Sequence, residues 1–310
     1  MNGFIRLTFI STIWTYLLIF LGGLVRVSGA GLGCPDWPKC FGHWIPPTNV
    51  GQLPPEMDPS QFNFALAWIE YINRLAGMTL GLLIAATAIY ALIKYRKVPG
   101  IVIPAVLAAL LTAYQGWQGG QVVASELKPL LVSAHLVIAL IIISLMVYTA
   151  INAFRHENRG FNPASEASKL KPWVFGLWLV AMTQVAFGAG IRGGLETLGH
   201  QFPLAKPFEL LSKVGMITHI HYFIGAVLLV IAIFLGPRIL KADSTKSPLV
   251  RQSAKGIIHL AITQIIIGIA LVIAGIPQLL QLFHLWFASL FIGITIMLYS
   301  SLKFQKEAAS

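Results

Sequence analysis

The chain has 310 residues, of which 56% are hydrophobic and only 11% charged, with a formal net charge of +11. Soluble domains carry about a quarter charged residues, so this composition, with a mean hydropathy of +0.76, excludes an ordinary soluble protein and indicates an integral membrane protein. The positive charge forms no basic stripe interleaved with aromatics, which excludes a nucleic-acid-binding protein.

Eight apolar runs follow one another, at residues 8–27, 67–93, 101–123, 130–151, 173–191, 214–235, 256–274 and 279–300. Each is close to the roughly 20 residues that a membrane-spanning helix needs. The first run, followed by Ser28-Gly29-Ala30, has some features of a signal peptide; cleavage would remove one of eight helices, so it is read as a retained anchor. The last two runs lie in an uncharged span from Gly256 to Leu302, too long for one helix, and Ile276-Pro277 supplies the break. With the N-terminus inside, the inner segments hold 15 Lys and Arg, including Arg159, Lys303 and Lys306; the outer segments hold 6, and Arg74 lies within a helix. The positive-inside rule then puts both termini in the cytoplasm. The polar inner segment 155–171 divides the chain into residues 1–160 and 161–310. The expected fold is an all-α integral membrane protein, eight transmembrane helices forming two pseudo-symmetric four-helix bundles. The long outer loop 28–65, rich in Gly and Pro, suggests a functional role, and the outer loop 193–212 is its counterpart.

The two halves read as one unit written twice. Gln115 and Gln264 are 149 residues apart, as are His135 and His284, and Gly77 and Gly225 are 148 apart. The offset of 148 brings Asn73 onto His221; reaching His219 would need 146. Asn73, His135, His221 and His284 then fall in the first two turns or so of helices that run from the outer to the inner side. Ionisable side chains at membrane depth are costly and usually functional. Two neutral imidazoles facing each other across a bundle are natural axial ligands for a haem iron. For a lone histidine, a hydrogen bond to a neighbouring helix is the better reading; the repeated register reverses this for His221 and His284. His219 points to another side of its helix and is the alternative ligand. His259 has no partner in register and reads as structural.

Charged residues stand at the same outer level. Glu70, Asn73 and Arg74 can face one side of the second helix. Arg26 and Arg192 close the first and fifth runs in the similar settings GGLVR and GAGIR. A guanidinium binds carboxylates bidentately, and haem carries two propionates, so Arg26, Arg74 and Arg192 are candidate propionate contacts; an arginine at the water interface also snorkels there without a ligand. Cys34 and Cys40, the only cysteines, lie in GLGCPDWPKCFGHW of the outer loop. On the oxidising side a disulfide is favoured, and an exposed one beside a redox cofactor would be open to exchange. A zinc site is a poor fit, because the two cysteines and His43 leave a ligand missing.

The stretch GGLVRVSGAGLGCPDWPKCFGHWIPP (22–47), the Glu-x-x-x-Arg of Glu70 and Arg74, and the histidines of helices four, six and eight resemble the haem A synthase family of respiratory membranes. With the eight-helix repeat, the resemblance covers nearly the whole chain. It implies oxidation of the C8 methyl group of haem O to the formyl group of haem A, for cytochrome c oxidase. It also implies a haem O/haem A substrate site in the N-terminal bundle, with His135 on the substrate iron, Glu70 as a catalytic carboxylate and Asn73 lining the site. A resident haem b is implied in the C-terminal bundle, on His221 and His284. The partners it implies are haem O from haem O synthase, an electron donor it does not identify, cytochrome oxidase assembly factors and the lipid bilayer of a bacterial plasma membrane; a homo-oligomer is compatible with it.

One departure stands out. The family motif on the second helix reads Glu-x-x-His-Arg, and here it reads Glu70-Tyr71-Ile72-Asn73-Arg74. Asn is a weak iron ligand, so Asn73 and His135 cannot form a bis-histidine site. The rival class, a non-enzymatic di-haem electron-transfer cytochrome b, needs two ligands in each bundle. One histidine against two suits a substrate site beside a fixed cofactor better. A transporter is also less suitable: repeats are common there, but no pair of half-broken helices stands out.

Overall fold

A computed structural model describes residues 2–157 and 166–302. The expected boundary at 160/161, Arg159, Lys303 and Lys306 lie outside the described residues.

Among the described residues the regular structure is helical, with no sheet. Eight helices are long and apolar enough to cross a membrane. They are α1 (Gly3–Ser28), α2 (Phe64–Lys94), α3 (Pro99–Ala124), α4 (Pro129–Glu157), α5 (Lys171–Gln201), α7 (Met216–Ala242), α8 (Pro248–Ile273) and α9 (Gln278–Ser301). A short helix, α6 (Pro207–Val214), precedes α7. At about 1.5 Å per residue each long helix exceeds the roughly 30 Å of bilayer hydrocarbon.

The helix limits differ from the apolar runs in two places that matter. Helix α2 starts at Phe64, capped by the Asn63 side chain, which accepts from Leu66 N–H. Asn73 therefore sits in the third turn, whereas His135, His221 and His284 occupy the second turn of their helices. Helix α5 does not end at Arg192 but runs to Gln201. Charge ends the apolar run there, while the hydrogen-bond ladder continues until Phe202, which precedes Pro203 and is steered out of helical geometry. Much of the expected outer loop 193–212 is thus helical.

Helices α1 to α4 pack in a ring, α1 against α2 and α4, and α3 against both α2 and α4. Helices α5, α7, α8 and α9 make the same ring, and α1, α4, α5 and α9 meet at the seam between the two. The seam is apolar: Ile19, Leu140, Ile143, Val147, Ile151, Val185 and Ile296 form one buried cluster. Hydroxyl groups on α1 are satisfied internally, as a membrane favours. Thr8, Thr12 and Thr15 on α1 each donate to the carbonyl four residues back, and the Ser11 and Thr87 hydroxyls pair across α1 and α2 at 3.2 Å.

The repeat extends to the backbone. At the α3–α4 turn Leu127 N–H donates to Val122 O at 3.0 Å; at the α8–α9 turn, 149 residues later, Ile276 N–H donates to Leu271 O at 2.7 Å. Leu127 and Ile276 both take positive φ, 62° and 60°, a conformation uncommon for non-glycine residues. The break at Ile276-Pro277 is where the sequence places it.

Candidate functional site

Three histidines are held by one local device. Gln115, Gln184 and Gln264 each stand one helical turn before a glycine, Gly119, Gly188 and Gly268, so glutamine and glycine share a helix face. Each glutamine amide donates to a histidine backbone carbonyl on a neighbouring helix: Gln115 to His135 at 2.7 Å, Gln184 to His221 at 2.9 Å and Gln264 to His284 at 2.9 Å. Each glycine lies beside the same histidine's ring. A Cβ at Gly119, Gly188 or Gly268 would stand 3.9, 3.1 or 3.5 Å from the Cε1 of His135, His221 or His284. The amide fixes the height of the histidine helix, and the missing side chain leaves room for the imidazole.

The fourth copy lacks both polar members. Gly22 borders Asn73, with 3.9 Å from a Cβ there to Asn73 Oδ1, and Leu18 stands one turn earlier where Gln184 stands in the other half. Where the imidazole is absent, so is the glutamine that would brace it. The Gln-x-x-x-Gly spacing occurs four times in the sequence, at these three places and at Gln252 and Gly256, so its link to the histidines needs the helix neighbours.

In the C-terminal half the His221 and His284 rings face each other, centroids 6.4 Å apart and planes at 62°. His221 Nδ1 donates to Gln184 O at 3.2 Å, which leaves the Nε2 lone pair free for a metal. His219 is exposed, so the facing residue is His221. An iron between two imidazoles, with metal–nitrogen bonds of about 2 Å, places the ring centroids about 6 Å apart. The observed separation fits that group. The His284 Nδ1 is buried without a hydrogen-bond partner.

In the N-terminal half His135 has no imidazole opposite it; Asn73 occupies the corresponding position. His135 Nδ1 and Asn73 Oδ1 are both buried without partners. Unpaired polar atoms are costly in a membrane interior, so both fit a site for a polar or metal-bearing group. A cavity of about 260 Å³ opens between the outer loop and α3, lined by Pro35, Trp37, Trp117 and Gly120 among others. His135 and Asn73 are not among the residues that line it. Among the described residues no group of three or more His, Cys, Asp or Glu could hold a bare metal ion; a haem iron takes four ligands from its porphyrin and needs only one or two from protein.

The outer loop is fastened to α2. Glu70 is buried, accepts from Cys34 N–H at 2.8 Å and pairs with Arg74 through Oε1. Arg74 also donates to the carbonyls of Asp36, Lys39 and Cys34, at 2.8, 2.7 and 3.3 Å. A guanidinium has five N–H donors, and those of Arg74 are all taken, so in this structure Arg74 has none to spare for a propionate. The loop approaches closely at Gly33, where a Cβ would lie 2.4 Å from Leu66 O; only glycine fits. Cys34 and Cys40 form a disulfide. Both are buried, packed with Phe41 and Ala67, so the bridge the sequence favoured is present and is not an exposed one. Thiol labelling of denatured, unreduced protein is expected to give close to zero thiols per chain, rising to two after reduction; two labelled thiols without reductant would refute the bridge.

Arg26 and Arg192 meet at the outer end of the seam, on either side of Glu196. The sequence marks Arg26 and Arg192 as candidate propionate contacts, but not their meeting at Glu196, because the three become neighbours only when the halves pack.

A family model described as "Cytochrome oxidase assembly protein" (COX15-CtaA) matches residues 5–296. Curated relatives named "Heme A synthase" are similar to the chain. One from Shewanella oneidensis is 33% identical over 149 residues, 44% of this chain and 42% of that protein. One from Geobacillus kaustophilus is 31% identical over 144 residues, 46% and 41% of the two chains. For these two, the matched stretch spans less than half of the relative. One from a Wolbachia of Brugia malayi is 25% identical over 323 residues, 92% of each chain. The chain belongs to the cytochrome oxidase assembly protein family whose members include these proteins, the haem A synthase family that its loop and histidine motifs resemble.

Proposed function

We propose that the protein is a haem A synthase of a bacterial plasma membrane, with both termini cytoplasmic, and that it oxidises the C8 methyl of haem O to the formyl of haem A. The carrying observation is the unequal repeat. One half holds two facing imidazoles, His221 and His284, suited to a resident haem b. The other holds the single imidazole of His135 opposite Asn73, suited to a haem that enters and leaves. A di-haem electron carrier would need a second strong ligand at Asn73.

Bound in the C-terminal half, haem b would supply one-electron redox chemistry. His221 and His284 hold it, and Gln184 and Gln264 set the height of their helices. In the N-terminal half His135 orients the substrate iron, and the smaller Asn73 leaves the opposite face less crowded. Arg26 and Arg192 receive propionates. The reaction replaces two C–H bonds of one methyl carbon by C–OH, a four-electron oxidation that draws on an external oxidant, and the resulting diol loses water to give the aldehyde. Protons must move at each stage, and the buried carboxylate of Glu70 is the group assigned to hold them. The loop pinned by Arg74 and the disulfide covers this level and limits water. Haem O from a haem O synthase, an electron donor and cytochrome oxidase assembly factors are the expected partners.

Expression with a haem O source, followed by pigment extraction, tests the reading. Haem A in the extract is the expected result. Haem O recovered unconverted from folded protein that retains haem b would overturn it.

A further inference from the structure

Arg26 and Arg192 belong to different halves yet share one carboxylate. Arg26 Nη2 and Arg192 Nη1 each lie 3.9 Å from the same oxygen, Glu196 Oε2, too far for a hydrogen bond. The three side chains are 17%, 29% and 33% exposed, and Arg26 Nη2 and Arg192 Nε are buried without partners. Packing imposes the meeting. Gly193 presses on the first turn of α4, where a Cβ would come within 2.8 Å of Pro129 Cβ, so the outer end of α5 is held at the seam. Arg26 is one turn outward of Gly22, which borders Asn73; Arg192 is one turn outward of Gly188, which borders His221. Each arginine therefore serves one candidate site, and Glu196 stands between both.

We propose that Glu196 is a shared counter-ion that couples the two sites and keeps the N-terminal one exchangeable; this rests on the reading of the halves as haem sites. Two guanidinium charges against one carboxylate leave a net charge of +1, which one further anion neutralises. A resident haem whose propionate reaches Arg192 takes that place. A substrate propionate at Arg26 then makes the cluster net negative in a partly buried setting, where charge is poorly screened. The substrate is held more loosely than the resident haem, and its product can leave. Glu196 acts through the arginines, as a positioning residue. Without its charge the cluster accommodates one carboxylate at each arginine.

The test compares wild type, Glu196→Gln and Glu196→Asp, each purified with its resident haem and titrated in detergent with haem O, read by difference absorbance. Glu196→Gln is expected to bind haem O about tenfold tighter, within the usual range of coupling between sites. Glu196→Asp should stay near wild type, and the resident haem spectrum should not change. Haem O with both propionates esterified should bind wild type and Glu196→Gln alike. Should the Gln variant not fold, Glu196→Ala is expected to show the same gain. Equal haem O affinity in wild type and the neutral variants overturns the coupling, as does an equal gain for the ester. Failure of every form to take up haem O overturns the functional reading of the N-terminal half, and the coupling with it.

Discussion

Replacing His284 or His221 with Ala is expected to abolish the low-spin haem spectrum of the purified protein. Each imidazole faces the other at a ring separation that fits one iron between them, and a haem iron left with a single strong axial ligand becomes high-spin or is lost. His219, the near neighbour in sequence, is exposed and is not the facing ligand. His219→Ala is the control and should keep a wild-type spectrum. An unchanged low-spin haem in both His221→Ala and His284→Ala would remove the basis for a resident haem b.

Glu70→Gln is expected to lower haem A formation by about a hundredfold or more, the usual range for removing a positioned acid–base group. Haem O or a hydroxylated intermediate should accumulate while the C-terminal haem is retained. The structure adds a second readout. Glu70 accepts from Cys34 N–H and from Arg74, and Gln offers one acceptor oxygen where Glu offers two. Its amide hydrogens must face donors on one side, so the loop is also loosened. If Glu70 only fastens the loop, the Cys34–Cys40 bridge becomes more rapidly reducible in step with the loss of haem A. If it handles protons, haem A is lost while the bridge reduces at close to the wild-type rate. Near-normal haem A output from folded Glu70→Gln would show that the chemistry does not need the carboxylate.

The legible part of this protein is local and periodic. Eight apolar runs mark eight helices because burying a charge in hydrocarbon costs about 3 kcal/mol by the lowest estimates and about 10 or more by the highest, so charge is confined to one end of a run where it occurs at all, as with Arg26 in the first and Glu70 and Arg74 in the second. The repeat is legible because matching backbones need matching turns: the register of Gln115 with Gln264 and His135 with His284 holds down to the paired bonds of Leu127 and Ile276. Helix ends were less legible. Hydropathy records where charge enters, and α5 runs past Arg192 because the hydrogen-bond ladder tolerates Glu196 and Thr197.

What only the packed structure decided concerns which donor meets which acceptor. Arg74 and the loop carbonyls are some 35 to 40 positions apart in the chain, and the sequence shows an unassigned guanidinium that a propionate would suit equally well. The three-dimensional path of the loop, admitted by Gly33, uses up its donors instead. The sequence likewise offers Arg26 and Arg192 as separate candidate propionate contacts and does not join them to Glu196. Their convergence depends on α1 and α5 reaching one seam, a contact set by side-chain shape across helices and carried by no periodicity within either one.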